Sequence, residues 1–326
     1  MRIATLQFNP TLGAVDANIQ HANNLLDKPR PARIDLLVLP ELAFSGYNFP
    51  SLEAITPFLE PTASGVSTQW AITTARRLHC HVIVGYPEIY RDATTGETSN
   101  YNATVTVAPS GEILANYRKS FLYYTDEAWA SEGHTSVSQQ QPFFCSPSLG
   151  QLGSVGHGIC MDINPYKFTA PWTAYEFANT MLKADVKLIV LSMAWLTRLN
   201  EQDLALEPER PDMETVAYWL ERFQPLLRSN ADEEVVVVFA NRCGTEGNRI
   251  SLGVGNVHVE NGQVEVEEGD RVCYAGSTCV MRFQGGQVRM FEKPGHEVAI
   301  LGKGEEGVLV VDTEQPARFL LQQKTA

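Results

Sequence analysis

The sequence predicts an α/β fold whose strand ends deliver reactive side chains. Short apolar runs alternate with segments of helical period along most of the chain, and an acid, a lysine and a cysteine each stand just after one of those runs. RIATLQF (2–8) reads as a strand, and DANIQHANNLLD (16–27) sets Ile19, Ala22, Leu25 and Leu26 on one helical face. IDLLVLP (34–40) is a buried strand that runs into Glu41, and residues 65–80 form an amphipathic helix before the strand HVIVGYPEIY (81–90). TVTVAP (104–109), the Ser110-Gly111 turn and EILANYRK (112–119) make a hairpin that ends at Lys119. Beyond Cys160, a helix over 174–185 leads to the strand KLIVLSMAW (187–195), and a helix over 214–228 leads to EVVVVFAN (234–241). Three or four further strands follow.

Composition bounds the rest. A chain of 326 residues that is 44% hydrophobic and 19% charged can bury a large core, and no Ser/Gly-rich or Pro-rich linker divides it, so one domain over residues 1–326 is expected. A net charge of −13 argues against nucleic-acid binding and suits a cytoplasmic protein or one that attracts a cationic substrate. The strand at Met1–Phe8 leaves no room for a leader, and no apolar run is long enough to span a membrane. Six cysteines in a chain of this length do not suggest a disulfide scaffold. His79-Cys80-His81 cannot converge on one metal from a strand, because alternate side chains face opposite ways. GKGEEG (302–307) precedes a strand instead of opening a helix, so it is a turn and not a nucleotide fingerprint. Neither a metal nor a cofactor is implied. The sequon Asn102-Ala103-Thr104 reads as coincidence within a strand.

Glu41, Lys119 and Cys160 together suit nucleophilic chemistry on an amide. A cysteine attacks as thiolate, so a base must take its proton, and Glu41 can be that base. The oxyanion that forms needs a fixed cation or aligned N–H groups, which Lys119 and the backbone N–H of Met161 can supply. The protonated acid can then release ammonia, and the same carboxylate can activate water against the thioester. Alone, each residue has a plainer role: Glu41 as a solvated loop charge, Lys119 as an edge-strand charge, Cys160 as an inert core thiol. Cys243 in ANRCGTE (240–246) is the main rival nucleophile, but its local motif brings no carboxylate–lysine pair.

At VLPELAFSGY (38–47), NYRKSFLYYTDE (116–127) and VGHGICMDINPYKF (155–168) the chain resembles the nitrilase superfamily of carbon–nitrogen hydrolases, which uses a Glu–Lys–Cys triad. ICMDINPYKF, MAWL (193–196), AYWLERFQP (217–225) and ANRCGTE narrow the resemblance to its fungal-type N-terminal amidase branch. Met161 and Asn164-Pro165-Tyr166 stand where general nitrilases carry an aromatic and an Arg-Phe-Pro run, which favours that branch. The resemblance implies the four-layer αββα sandwich, hydrolysis of the side-chain amide of an N-terminal Asn or Gln, and peptide or protein N-termini as partners. It also allows a homodimer. It implies a second carboxylate that orients the lysine; Glu132 in WASEGH matches the family position, although Asp126 and Glu127 lie nearer in sequence. Met161, Asn164, Trp195 and Asp212 are the expected substrate-binding residues, with Asp212 reading the free α-amine or serving as an N-cap. The alternatives are an amidase of free small molecules, such as an ω-amidase or carbamoyl-amine hydrolase, and a non-catalytic scaffold of the same fold.

Overall fold

The structure, a computed structural model, describes residues 1–28, 33–135, 141–229, 232–247, 258–260, 263–265, 271–293 and 296–321. Its first half runs β1 (Arg2–Gln7), α1 (Val15–Leu26), β2 (Leu36–Val38), α2 (Val66–Leu78), β3 (His81–Arg91), β4 (Thr98–Val107) and β5 (Ile113–Arg118). Its second half runs β6 (Phe144–Ser146), β7 (Val155–Ile159), α3 (Glu176–Lys183), β8 (Leu188–Met193), α4 (Met213–Arg222), α5 (Gln224–Arg228) and β9 (Val235–Asn241). The sheets are completed by β10 (Cys279–Gln284), β11 (Gln287–Met290), β12 (Gly307–Asp312) and β13 (Phe319–Leu321).

Among the described residues these strands form two sheets, in the orders β12-β1-β2-β3-β4-β5 and β13-β11-β10-β9-β8-β7-β6. The central pairs β1/β2, β2/β3, β7/β8 and β8/β9 are parallel. Strands covered on both faces must be apolar throughout, which is why LLV, LIVLSM and VVVVFAN show no polar alternation. Ile3, Leu36, Val38 and Ile83 of the first sheet meet Val155, Val190, Val236 and Val238 of the second in one core. Each such fully buried side chain contributes roughly 1.5–3 kcal/mol. The outer face of the first sheet packs Leu6, Leu37, Val82 and Val84 against Ala22 and Leu26 of α1 and Trp70, Ala71 and Ala75 of α2. The outer face of the second packs Ile189, Leu191, Val237 and Phe239 against Phe177 and Met181 of α3 and Val216, Trp219 and Leu220 of α4. The result is the αββα sandwich.

Two expectations shift. The helix over 214–228 is split after Arg222, because Pro225 has no N–H to donate to the Glu221 carbonyl. The IDLLVLP strand is short, Leu36–Val38, and its continuation turns sharply: Leu39 N still donates to Ile83 O at 2.9 Å, then Leu42 takes φ 44°. The turn lies directly on β3. A Cβ on Gly85 would stand 2.7 Å from both Leu42 N and Pro40 O, and 2.8 Å from Glu41 Cα. Gly85→Ala should therefore cost about 1–3 kcal/mol through overpacking, visible as a lower thermal midpoint by circular dichroism. An unchanged midpoint would show that β3 has room to yield.

Candidate active site

Glu41, Lys119 and Cys160 come together although they leave different strands. Glu41 sits in the turn beyond β2, Lys119 one residue past β5, and Cys160 directly after β7, at the head of a single 3-10 turn, Cys160–Ile163. Cys160 has φ 42°, a left-handed conformation that costs a non-glycine residue of order 1 kcal/mol or more. Leu42 beside Glu41 is left-handed as well. Local strain on both sides of a site marks backbone held by its surroundings for a purpose other than stability.

The polar centre is buried and closely bonded. Glu41 and Lys119 are fully buried, and Lys119 Nζ donates to Glu41 Oε1 and to Asp126 Oδ2, both at 2.6 Å. Asn102 Nδ2 bridges the same two acids, at 2.7 Å to Glu41 Oε1 and 3.0 Å to Asp126 Oδ1. The second oxygen of Glu41 accepts from Ala194 N at 2.8 Å, and Asp126 Oδ2 accepts from Tyr123 N at 3.0 Å. Two buried carboxyl groups thus share one ammonium. Burial raises the Glu41 pKa, and repulsion from Asp126 adds to that against the lowering effect of Lys119. Burial alone would discharge Lys119, but Asp126 and Glu41 more than reverse it and hold the ammonium charged. Burial, then Glu41, pushes the Cys160 pKa well up, so the side chain rests as a thiol near Glu41.

Cys160 opens into a cavity of about 420 Å³ lined also by Tyr47, Tyr123, Met161, Asn164, Trp195, Asp212 and Tyr218. Met161, Asn164, Trp195 and Asp212, the four expected substrate-binding residues, therefore share one wall system. Tyr218 OH donates to Asn164 Oδ1 at 2.7 Å, and its ring packs 5.2 Å from the Trp195 ring. Asp212 is the N-cap of α4: Oδ1 accepts from Glu214 N at 3.1 Å and Thr215 N at 3.2 Å, while Oδ2 accepts from the Thr197 and Thr215 hydroxyls. The capping role is thus observed, and Asp212 lines the cavity in addition.

A family model for carbon–nitrogen hydrolases matches residues 2–167. The chain is also 32% identical to the protein N-terminal amidase of Schizosaccharomyces pombe, over 97% of this chain and the whole of that protein. The chain belongs to the carbon–nitrogen hydrolase family. It is 33% identical to the protein N-terminal amidase of Saccharomyces cerevisiae over 62% of this chain and 46% of that longer protein. In fold it is similar to a crystal structure of N-terminal amidase with an Asn-Glu-Ala peptide (TM-score 0.73, 21% identity, 99% of both chains). Another, with a Gln-Val peptide, covers 95% of this chain and 96% of that one (TM-score 0.70, 22% identity).

The carbon–nitrogen hydrolase chain departs from its sequence-based reading at the second carboxylate. Lys119 is held by Asp126, not by Glu132. Glu132 lies on the far side of the loop, where Oε1 accepts from Tyr166 OH at 2.8 Å and lies 3.6 Å from Lys167 Nζ. The short helix Tyr124–Glu127 explains the difference, because it turns Asp126 inward against the lysine seven residues earlier while Glu127 remains exposed. Asn102 was passed over: it is a buried bridge between two acids, which a sequon cannot reveal and which leaves its amide no access to a glycosylating enzyme. Cys243 is buried under a raised pKa caused first by burial, and it does not line the cavity. His79 caps the end of α2 in a left-handed conformation, and no metal-binding group of three or more occurs among the described residues.

Asp126 raises Glu41 by Coulombic repulsion, so Asp126→Asn should move the acid limb of the activity profile to lower pH and weaken Glu41 as a base. Turnover should fall about tenfold or more. Glu132→Gln should leave the acid limb in place. A limb that shifts with Glu132→Gln and not with Asp126→Asn would return the role to Glu132.

Proposed function

We propose that this hydrolase removes the side-chain amide of an N-terminal asparagine or glutamine from a peptide or protein, leaving aspartate or glutamate and releasing ammonia through a thioester on Cys160. The observation that carries this reading is the position of Cys160, in the lining of a cavity and near a buried acid pair that shares one ammonium. The full-length similarity to a protein N-terminal amidase supports the choice of substrate.

The geometry suggests how the reaction runs. Because burial keeps Cys160 protonated, a preformed thiolate is not available, and its proton passes to Glu41 as sulfur attacks the amide carbon. Lys119 and the Met161 N–H meet the negative oxygen of the tetrahedral intermediate; the ammonium keeps its charge because two acids flank it. Collapse breaks the carbon–nitrogen bond, and Glu41 gives its proton to the departing nitrogen, which leaves as ammonia. Water then attacks the thioester with Glu41 again as base, and the acid product leaves as the proton returns to sulfur. Trp195, Asn164 and Tyr218 wall the side chain, and Asp212 receives the α-ammonium through attraction in a partly desolvated setting. A cytoplasmic location, an open choice between monomer and homodimer, and delivery of the product to an N-degron pathway belong to the same reading. Six free cysteines are consistent with a reducing compartment, and no helix among the described residues is long and apolar enough to cross a membrane.

Ammonia release from Asn- and Gln-initiated peptides is the direct assay. Cys160→Ala should abolish it and Cys243→Ala should retain most of it, while Lys119→Ala should lose ~10²–10³-fold. Equal turnover of free asparagine or glutamine would overturn the peptide assignment. Asp212→Asn keeps the cap but removes the charge, so it should raise KM for these peptides with little change in thermal midpoint. If Asp212→Asn works normally and still rejects N-acetylated peptides, the amine is read elsewhere.

A further inference from the structure

The buried carboxylate of Asp162 touches neither the cavity nor the Glu41–Lys119–Asp126 set, yet its bonds run to both segments that the reaction must keep in register. Oδ2 accepts from Ile159 N at 2.7 Å and from Tyr117 OH at 2.8 Å. Oδ1 accepts from Phe121 N at 2.9 Å and Ser120 N at 3.1 Å. Ile159 immediately precedes the nucleophile, whereas Ser120 and Phe121 immediately follow Lys119 and Tyr117 stands two residues before it. Tyr117 belongs to β5 in the first sheet and Ile159 to β7 in the second, so one side chain ties the two sheets together at the site. Accepting on the proposed function, we propose that Asp162 is a positioning residue that fixes the Cys160 turn against the Lys119 loop.

Only a carboxylate suits the place. It has four acceptor positions and no donor when ionised, matching four converging donors. An asparagine would turn an NH₂ toward two of them, and a glutamate would overshoot by one methylene. Burial pushes the Asp162 carboxyl up to about 6, against the bonds from Ile159, Phe121 and Tyr117 and the charge of Lys119. Its burial opposes ionisation, while the four donors and Lys119 favour it. A buried carboxylate kept against that opposition fits a requirement for exact placement, since a displacement of about 1 Å can cost 10²-fold in rate.

The test separates placement from charge and from general stability. Asp162→Asn and Asp162→Glu should each lower kcat on an Asn-initiated peptide by about 10²-fold, with KM changed less than about threefold. Tyr117→Phe, which removes one of the four donors, should lower kcat by a few-fold without altering KM. Val238→Ala, in the core between the sheets, should lower the thermal midpoint while leaving kcat close to wild type. Full activity of Asp162→Glu beside a defective Asp162→Asn would assign the effect to charge and overturn the proposal, as would a change confined to KM. Should Asp162→Asn fail to fold, unchanged kcat in Tyr117→Phe overturns it alone. Iodoacetamide labelling by mass spectrometry gives a readout independent of the substrate: alkylation of Cys160 should slow in both Asp162 variants while that of Cys145 does not. That result would stand even if no Asn- or Gln-initiated peptide were hydrolysed, and equal Cys160 rates in all proteins would sink the proposal.

Discussion

One ammonium shared between two buried carboxylates is the interaction on which the site depends. A balanced Glu41–Lys119 pair would be more comfortable in the interior, but it would make Glu41 a poor proton acceptor. Burial raises Glu41, Asp126 adds to that rise, and Asp126 with Glu41 holds Lys119 charged against its burial. The two effects suit the proposed reaction, which asks for a base able to take a thiol proton and a cation that does not lose its own. Asn102 gives the pair its neutral support, donating to both acids from β4. Such an arrangement is poor material for stability and good material for a site.

Strain in the backbone has to be carried by packing. Leu42 and Cys160 both take left-handed conformations, and both lie beside reactive side chains. Pro40 to Ala43 rests on β3, where Gly85 permits contact and its carbonyl accepts from Ala43 N at 3.0 Å. Ala194 N, just past β8, fixes the second oxygen of Glu41 from the other sheet. The sandwich therefore supplies bonds to Glu41 from both of its halves.

The strands and helices were legible because parallel strands buried on both faces write uninterrupted apolar runs, and surface helices write a period of 3.6. The layering was legible only through the family resemblance, since the same runs serve other α/β architectures. Glu41, Lys119 and Cys160 lie in recognisable motifs, and the structure brings them together. The acid on Lys119 was misplaced because its selection depends on one turn of helix, Tyr124–Glu127, which aims Asp126 inward. No local pattern distinguishes Asp126 from Glu132. Asn102 and Asp162 were invisible for a related reason: their partners lie 24 and 61 residues away for Asn102 and up to 45 for Asp162, and only folding sets them side by side.

The cavity draws on both sides of residue 167, with Tyr47, Met161 and Asn164 before it and Trp195, Asp212 and Tyr218 after it. Glu41, Lys119, Asp126 and Cys160 all lie within the stretch that the family model matches. Trp195, Asp212 and Tyr218, which line the cavity, lie beyond it. The later part also reaches back to shape the earlier. Glu246 accepts from Tyr47 N at 3.0 Å and Asn48 N at 2.8 Å, from Tyr274 OH at 2.8 Å, and from Arg242 Nη2 at 2.8 Å. The Arg242 guanidinium lies 4.1 Å from the Tyr274 ring centroid, so the carboxylate that holds the Tyr47 loop is itself held. Tyr47 in turn forms part of the cavity wall, and its ring lies 5.6 Å from Lys119 Nζ. The ANRCGTE segment is thus linked to Lys119 through Glu246 and Tyr47. One buried acid therefore joins the later part of the chain to the cavity wall at Tyr47.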